Sequence, residues 1–170
     1  MITQELCFGQ RFDKELGCIE PWYVNACVDR IKEMQLYDKV VMEWGGGRSS
    51  LWWARKAKML YSVDHNEEWF NHTQELLKWH GLGKDKVILT YQPTHEGDQS
   101  PCRDLYVQGY FLAKPDICIV DGVHRYECAE YAVNHFKSIF SSSLPKINFF
   151  HIRAIIFLPT PSLRFFPVGV

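Results

Sequence analysis

The sequence lacks a surplus of charge of either sign, because 19 Lys and Arg residues stand against 20 Asp and Glu residues and the formal net charge is -1. This balance excludes a globally basic surface as the basis for binding nucleic acid or an anionic membrane. The longest apolar stretch, from Ile147 to Leu158, is interrupted by His151 and Arg153 and is shorter than the roughly 20 residues of a membrane span. We therefore expect an unidentified partner that is recognised at a local site.

Several motifs that carry chemistry are also absent. The six cysteines form no C-x-x-C pair, and the segment from Met1 to Glu5 has neither the basic nor the apolar region of a signal peptide. We interpret the cysteines as reduced thiols in a cytoplasmic protein. The seven histidines form no H-E-x-x-H motif, so no metal site is predicted. No serine lies in a G-x-S-x-G motif, which leaves covalent catalysis by a nucleophilic serine without support.

The residues that are present predict one globular α/β domain. Of the 170 residues 46% are hydrophobic, and short apolar runs alternate with segments whose apolar side chains recur every three or four residues. The predicted strands cover 39–43, 59–63, 86–91 and 116–121, and the predicted helices cover 23–35, 49–56, 66–80 and a segment after 122. Apolar strands separated by helices are typical of a parallel sheet that is covered on both faces, hence of a doubly wound fold.

Three local features complete this prediction. Asn66 is expected to cap the third helix, because its side chain can accept a hydrogen bond from a free N–H of the first turn. Residues 92–103 are predicted to form a polar loop. Four tryptophans on the predicted helices are interpreted as packing residues rather than ligand contacts; they are Trp52, Trp53, Trp69 and Trp79.

The C-terminal segment differs in composition from the rest of the chain. No acidic residue follows Glu130, and the last forty residues contain prolines at 145, 159, 161 and 167. Proline is disfavoured in helix interiors and central strands, so we expect at most one strand, within residues 147–157, to join the sheet. We therefore divide the chain into a domain of residues 1–140 and an atypical basic tail of residues 141–170, which looks truncated or rearranged.

A glycine-rich turn follows the first predicted strand. Glu43 ends that strand, and Gly45, Gly46 and Gly47 lead into the next helix. Glycines at such a turn let the backbone approach a ligand, although the turn can also be only a tight connection. Asp64 ends the second strand at the same edge of the sheet, where α/β proteins bind ligands. Its carboxylate can accept hydrogen bonds from both hydroxyls of a ribose, and a helix cap is the alternative role.

These residues resemble a known family. The pattern Glu43-x-Gly45-x-Gly47 followed by Ser49, the aspartate that ends the second strand and an Asp-Gly pair at residues 121–122 resemble class I S-adenosylmethionine-dependent methyltransferases. Segments 43–54 and 63–69 are similar to a branch of uncharacterised methyltransferase-like proteins, and the resemblance covers about residues 40–136. It implies a Rossmann-like core, S-adenosylmethionine as the cofactor and methyl transfer to an acceptor that the sequence does not identify.

The resemblance also implies a role for each matching residue. Those implied to bind the cofactor are Glu43, Gly45, Gly46, Gly47, Ser49, Asp64 and His65. The glycine-rich turn would lie beneath the methionine part, and Asp64 would hold the ribose hydroxyls. Asp121 would stand near the methyl-transfer centre, where the protein must align the acceptor and, if the acceptor is protonated, supply a base. Asp121 and His124 are the candidate catalytic residues, and a structural residue in the first turn of a helix is the alternative for His124.

Two other functions are compatible with the sequence. The Gly45 to Gly47 turn and Asp64 also match half of a dinucleotide fingerprint, which would favour a nicotinamide-dependent oxidoreductase. Against this, Ser50 stands where that fingerprint has its third glycine, and Glu43 would repel a pyrophosphate. The other alternative is a non-catalytic cofactor-binding remnant, because the tail departs from the family's sheet of seven strands. Residues 91–93 lack the acid that many relatives use for adenine, so no adenine contact is assigned.

Overall fold

The structure is a computed structural model that describes residues 10–23, 25–109, 114–136, 153–157 and 165–168. Within this part of the chain the elements are, in order, β1 (Phe12–Asp13), β2 (Cys18–Ile19), α1 (Asn25–Lys32), β3 (Val40–Trp44), α2 (Arg48–Lys56), β4 (Met59–Asp64), α3 (Glu67–Trp79), β5 (Val87–Tyr91), α4 (Pro101–Gln108), β6 (Ile117–Val120), α5 (Arg125–Phe136), β7 (Arg153–Phe157) and β8 (Phe165–Val168).

The central sheet has the strand order β5-β4-β3-β6-β7-β8. The first four strands in this order are parallel, and β3 pairs with β4 on one side and with β6 on the other. The predicted α/β fold with a parallel sheet is confirmed. From β3 the chain adds β4 and β5 on one side of the sheet and then returns to add β6 on the other side. The strand order therefore reverses between β3 and β6, and the carboxyl ends of these two strands flank that point. Open α/β sheets bind their ligands at this point.

Helices cover both faces of the parallel strands. Successive strand residues point to opposite faces, so Val41 packs on the side of α1, α2 and α3 while Met42 and Trp44 pack on the side of α4 and α5. Each face contains its own apolar core, and the strands are apolar on both sides because both sides are covered. Glu43 alternates with these apolar residues and is buried on the side of α2.

Most of the predicted elements lie within a few residues of their expected bounds. Asn66 caps α3, as predicted, with its side-chain oxygen 3.0 Å from the backbone nitrogen of Trp69. Helix α5 buries the five residues of its predicted apolar stripe, which are Cys128, Ala129, Ala132, Val133 and Phe136. No helix in the described part of the chain is long and apolar enough to cross a membrane.

Two predictions about the middle of the chain were wrong. Helix α4 begins inside the predicted loop, where the side chain of Ser100 accepts a hydrogen bond from the Cys102 backbone nitrogen and Pro101 occupies the first turn. Trp52 and Trp53 are buried as expected, but Trp69 and Trp79 are 52% and 60% exposed. The buried face of α3 is instead formed by Thr73, Leu76 and Leu77.

The expectation of at most one strand in the tail was also wrong. Strand β7 pairs antiparallel with β6, placing Ile155 opposite Ile119, and β8 pairs antiparallel with β7. Pro167 is tolerated in β8 because, among the described strands, β8 is the last on this side of the sheet, and proline is found on edge strands. The predicted boundary between residues 140 and 141 lies outside the described residues.

Candidate functional site

The turn between β3 and α2 is shaped by close backbone contacts. Gly45 has a φ of +89°, which favours glycine, and its nitrogen donates a hydrogen bond to the Val63 carbonyl at 2.9 Å. A Cβ on Gly45 would lie 2.5 Å from the backbone nitrogen of Gly122, and a Cβ on Gly46 would lie 2.8 Å from Ser62 Oγ. A Cβ on Gly47 would meet no atom within 4 Å. The first two glycines are therefore required by packing, whereas Gly47 faces open space.

Glu43 lies behind this turn and fixes its position. The buried carboxylate accepts hydrogen bonds from Ser49 Oγ at 2.6 Å, Ser50 Oγ at 2.5 Å and Ser62 Oγ at 3.2 Å. Burial raises the pKa of Glu43 to about 7; the negative charge of Asp121 acts in the same direction, and the serine hydroxyls oppose it. Because the two α2 serines and a β4 serine all bind one carboxylate, Glu43 ties the first turn of α2 to the sheet.

A cavity of about 460 Å³ opens in front of the turn, which is the size of a site for a small molecule or cofactor. Seven of the nine residues proposed from the sequence line it, namely Gly45, Gly46, Gly47, Ser49, Asp64, His65 and Asp121. Glu43 and His124 do not belong to its lining. The structure thus brings the glycine-rich turn together with Asp64 and Asp121, two of the three acids predicted at strand ends. The third, Glu43, lies behind the turn.

Asp64 contacts both the cavity and the start of α3. Its Oδ1 accepts a hydrogen bond from the Asn66 nitrogen at 2.8 Å and lies 3.5 Å from His65 Nδ1. Burial raises the pKa of Asp64, and backbone hydrogen bonds from Asn66 and Gly46 oppose the rise. The helix cap is Asn66 rather than Asp64. The carboxylate is therefore positioned by the turn that precedes the helix while it forms part of the cavity wall.

Asp121 and His124 follow β6 but lie in different surroundings. Asp121 lines the cavity, and its nitrogen donates to the Trp44 carbonyl at 2.8 Å. His124 is buried, has a φ of 52° and places Nε2 3.1 Å from Thr94 Oγ1. The Thr94 hydroxyl donates its proton to Asp98 at 2.9 Å, so its oxygen accepts the hydrogen bond from His124 and the His124 proton resides on Nε2. This contact ties the turn after β6 to residues 94–98.

The sequence analysis missed the N-terminal wall of the cavity and several residues around its opening. The residues not anticipated are Gln10, Glu20, Trp22, Tyr23, Arg48, Trp69 and Gly122. Glu20 follows the β1-β2 hairpin, whose turn contains Gly17 at a φ of +64°. A glycine between apolar positions was the available signal for this hairpin, but strands of two residues give no usable periodicity.

In the described residues, no group of three or more His, Cys, Asp or Glu side chains has the arrangement of a metal site. Among the described residues, the acidic and basic residues that line the cavity are Glu20, Asp64, Asp121 and Arg48. Such a wall favours a ligand that carries positive charge and disfavours a pyrophosphate.

No protein-family profile matches this sequence, and no curated protein matches it. Similar folds occur among solved structures. A methyltransferase-like protein from Silicibacter pomeroyi superposes with a TM-score of 0.50 at 20% sequence identity, over 68% of this chain and 66% of that chain. The chain thus has an α/β fold of the kind found in methyltransferase-like proteins.

Two further structures match with lower TM-scores. A dimethyladenosine transferase from Plasmodium falciparum gives a TM-score of 0.36 at 13% identity over 57% of this chain and 41% of that chain. A putative methyltransferase from Streptococcus mutans, in complex with SAH, gives 0.35 at 13% identity over 82% of this chain and 90% of that chain.

Proposed function

We propose that this protein is an S-adenosylmethionine-dependent methyltransferase whose methyl acceptor is still to be identified. The observation that carries the proposal is the cavity at the carboxyl ends of β3, β4 and β6, where the glycine-rich turn, Asp64 and Asp121 form one continuous wall. A Cβ on Gly46 would lie 2.8 Å from Ser62 Oγ, so packing against β4 requires a glycine in this part of the wall. The surplus of carboxylates also suits a cationic sulfonium.

Within this proposal each residue has a separate task. Asp64 accepts hydrogen bonds from the ribose hydroxyls, with His65 beside it, and the backbone from Gly45 to Gly47 holds the methionine part together with Ser49. When bound, the sulfonium supplies an activated methyl group. Asp121 lies at the turn after β6, where it can orient an acceptor and receive its proton.

Two residues act from behind the cavity. Glu43 keeps the first turn of α2 in place through its serine contacts, so its effect on binding is indirect. His124 is outside the cavity lining and contacts Thr94, which favours a structural role over direct proton transfer. Asp121 is therefore the stronger candidate for a base.

The two alternatives have less support. For an oxidoreductase, the nicotinamide cofactor would have to place its pyrophosphate near three carboxylates, and Ser50, where a third glycine would stand, is buried and donates to Glu43. The remnant hypothesis relied on a sheet that ends early, whereas β7 and β8 extend the sheet beyond β6. We therefore rank the methyltransferase first.

Calorimetric titration of the full chain with S-adenosylhomocysteine and with NAD tests the proposal. We expect binding of S-adenosylhomocysteine and no binding of NAD. Asp64→Ala should weaken S-adenosylhomocysteine binding by about 1.5–3 kcal/mol, or roughly 10- to 150-fold, the usual effect of losing hydrogen bonds to a charged group. Glu68→Ala is the matched control, since Glu68 is exposed in the first turn of α3 and lies outside the cavity wall.

Two results would contradict the proposal. Tight NAD binding without a response to S-adenosylhomocysteine would favour the oxidoreductase. Unchanged affinity in a folded Asp64→Ala variant would leave Asp64 with a structural role only.

A further inference from the structure

Glu20 is an acidic residue of the cavity lining to which the proposed reaction assigns no task. It is 5% exposed and follows β2 on the N-terminal side of the cavity. Burying a carboxylate is unfavourable unless its charge is compensated. Two cations provide that compensation, because Arg11 Nε lies 2.7 Å from Oε2 and Lys32 Nζ lies 2.8 Å from Oε1.

These ion pairs fix the direction of the Glu20 carboxylate. Arg11 Nη2 in turn lies 2.7 Å from Asp29 Oδ1, and Lys32 Nζ lies 3.6 Å from Oδ2 of the buried Asp13. A carboxylate offers about four acceptor positions, and the two ion pairs use one on each oxygen. Glu20 is therefore a preorganised acceptor that can receive a further hydrogen bond from a donor in the cavity.

The charge of the cavity wall indicates what kind of donor this is. Of the acidic residues that line the cavity in the described part of the chain, Asp64 is assigned to the ribose and Asp121 to the methyl-transfer centre. Glu20 remains, and it lines the same cavity as the turn assigned to the methionine part. A carboxylate in this position complements a cationic N–H donor.

On the basis of the proposed function, we propose that Glu20 binds the ammonium group of the amino-acid part of the cofactor. The ammonium donates to the Glu20 carboxylate, while Arg11 and Lys32 hold that carboxylate from behind. The contact makes Glu20 a specificity residue, because it selects ligands that carry both the adenosine and the amino group.

A double-mutant cycle between the protein and the ligand tests this contact. The full chain and its Glu20→Gln variant are titrated by calorimetry with S-adenosylhomocysteine and with its desamino analogue, which keeps the carboxylate and lacks the amino group. The wild-type protein should bind S-adenosylhomocysteine about tenfold or more tightly than the analogue. In Glu20→Gln this preference should fall to about twofold or less, because the charged acceptor is gone. Glu33→Gln, which changes an exposed carboxylate that contacts Arg30 outside this network, should keep the wild-type preference.

Each other outcome overturns the assignment. If the wild-type protein binds both ligands equally, the amino group is not recognised, and this result does not depend on the folding of any variant. If Glu20→Gln keeps the preference, another group binds the ammonium. If the wild-type protein binds neither ligand, the proposed function is wrong as well, which separates that failure from the first two.

Discussion

Replacing Glu43 by Gln should stabilise the fold at alkaline pH, although it removes a charge with three hydrogen-bond donors. The Glu43 carboxylate is fully buried, and its burial raises the pKa from 4.5 to about 7. The folded state therefore holds this proton more tightly than the unfolded state does. Linkage then requires the free energy of unfolding contributed by Glu43 to fall as the pH rises from about 4.5 to about 7 and to stay level above that.

The size of the effect follows from the same two values. A rise in pKa from 4.5 to about 7 corresponds to about 3 kcal/mol of folding free energy lost at high pH. Gln has no charge to bury. Its amide oxygen can accept the hydrogen bond from Ser50 Oγ, and its NH2 group can donate to Ser49 Oγ, because the two serines contact different oxygens of the carboxylate. Glu43→Gln should therefore resemble the protonated wild-type protein, with similar stability near pH 5 and a gain approaching about 3 kcal/mol at pH 8.

Urea denaturation of both proteins at pH 5, 6, 7 and 8 measures this difference, and subtracting the two curves removes the contributions of the groups that both proteins share. Glu68→Gln, at an exposed position of α3, is the control for the same substitution outside the core. A difference between Glu43→Gln and wild type that stays constant from pH 5 to 8 would refute the reasoning, since it would mean that Glu43 ionises as an exposed glutamate does.

Three further predictions concern packing, a tautomer and thiol reactivity. Gly46→Ala should lower the free energy of unfolding, measured in urea, by about 1–3 kcal/mol, because its Cβ would lie 2.8 Å from Ser62 Oγ. Gly47→Ala should change the free energy of unfolding by less than about 1 kcal/mol. Equal losses in the two variants would contradict the packing argument. Thr94→Val should remove the preference of His124 for the Nε2–H tautomer, which the ¹⁵N chemical shifts of the imidazole ring report. Unchanged ¹⁵N shifts would mean that the Thr94 hydroxyl does not determine the tautomer. Among the described cysteines, Cys102 should be alkylated first by iodoacetamide in a mass-spectrometric time course, because burial protects the other four, and early labelling of those four would be the contrary result.

The parallel part of the fold could be predicted from the sequence because its signals are local. Residues 117–120 are apolar on both faces, and Asn66 sits where a helix needs an acceptor for its free N–H groups. The order of Glu43, the glycines and Asp64 along the chain placed the site at one edge of the sheet. For these elements the local pattern and the tertiary structure agree.

The remaining features depend on contacts between distant segments. Helix α4 buries only Tyr106 and Val107, which is too few apolar residues to give a period. Trp69 is spaced along α3 as a member of the buried face would be, but that face is formed by Thr73, Leu76 and Leu77 and leaves Trp69 52% exposed. Glu20 enters the cavity wall through the hairpin and its two ion pairs, and none of these partners is adjacent to it in the sequence.

The contact between the turns after β3 and β6 has a consequence for local opening. Gly45 and Gly122 approach so closely that neither turn has room for a Cβ at their contact. The amide of Gly45 bonds to Val63 in β4 on one side, and the amide of Asp121 bonds to Trp44 from the other side, so moving the turn after β3 away from both neighbours would expose both amides in one event. In a hydrogen-exchange experiment these amides, more than seventy positions apart in the sequence, should therefore share a single opening free energy. A ligand that bridges the turns would slow the exchange of both by the same factor, and this common protection would identify the floor of the cavity as one cooperative unit.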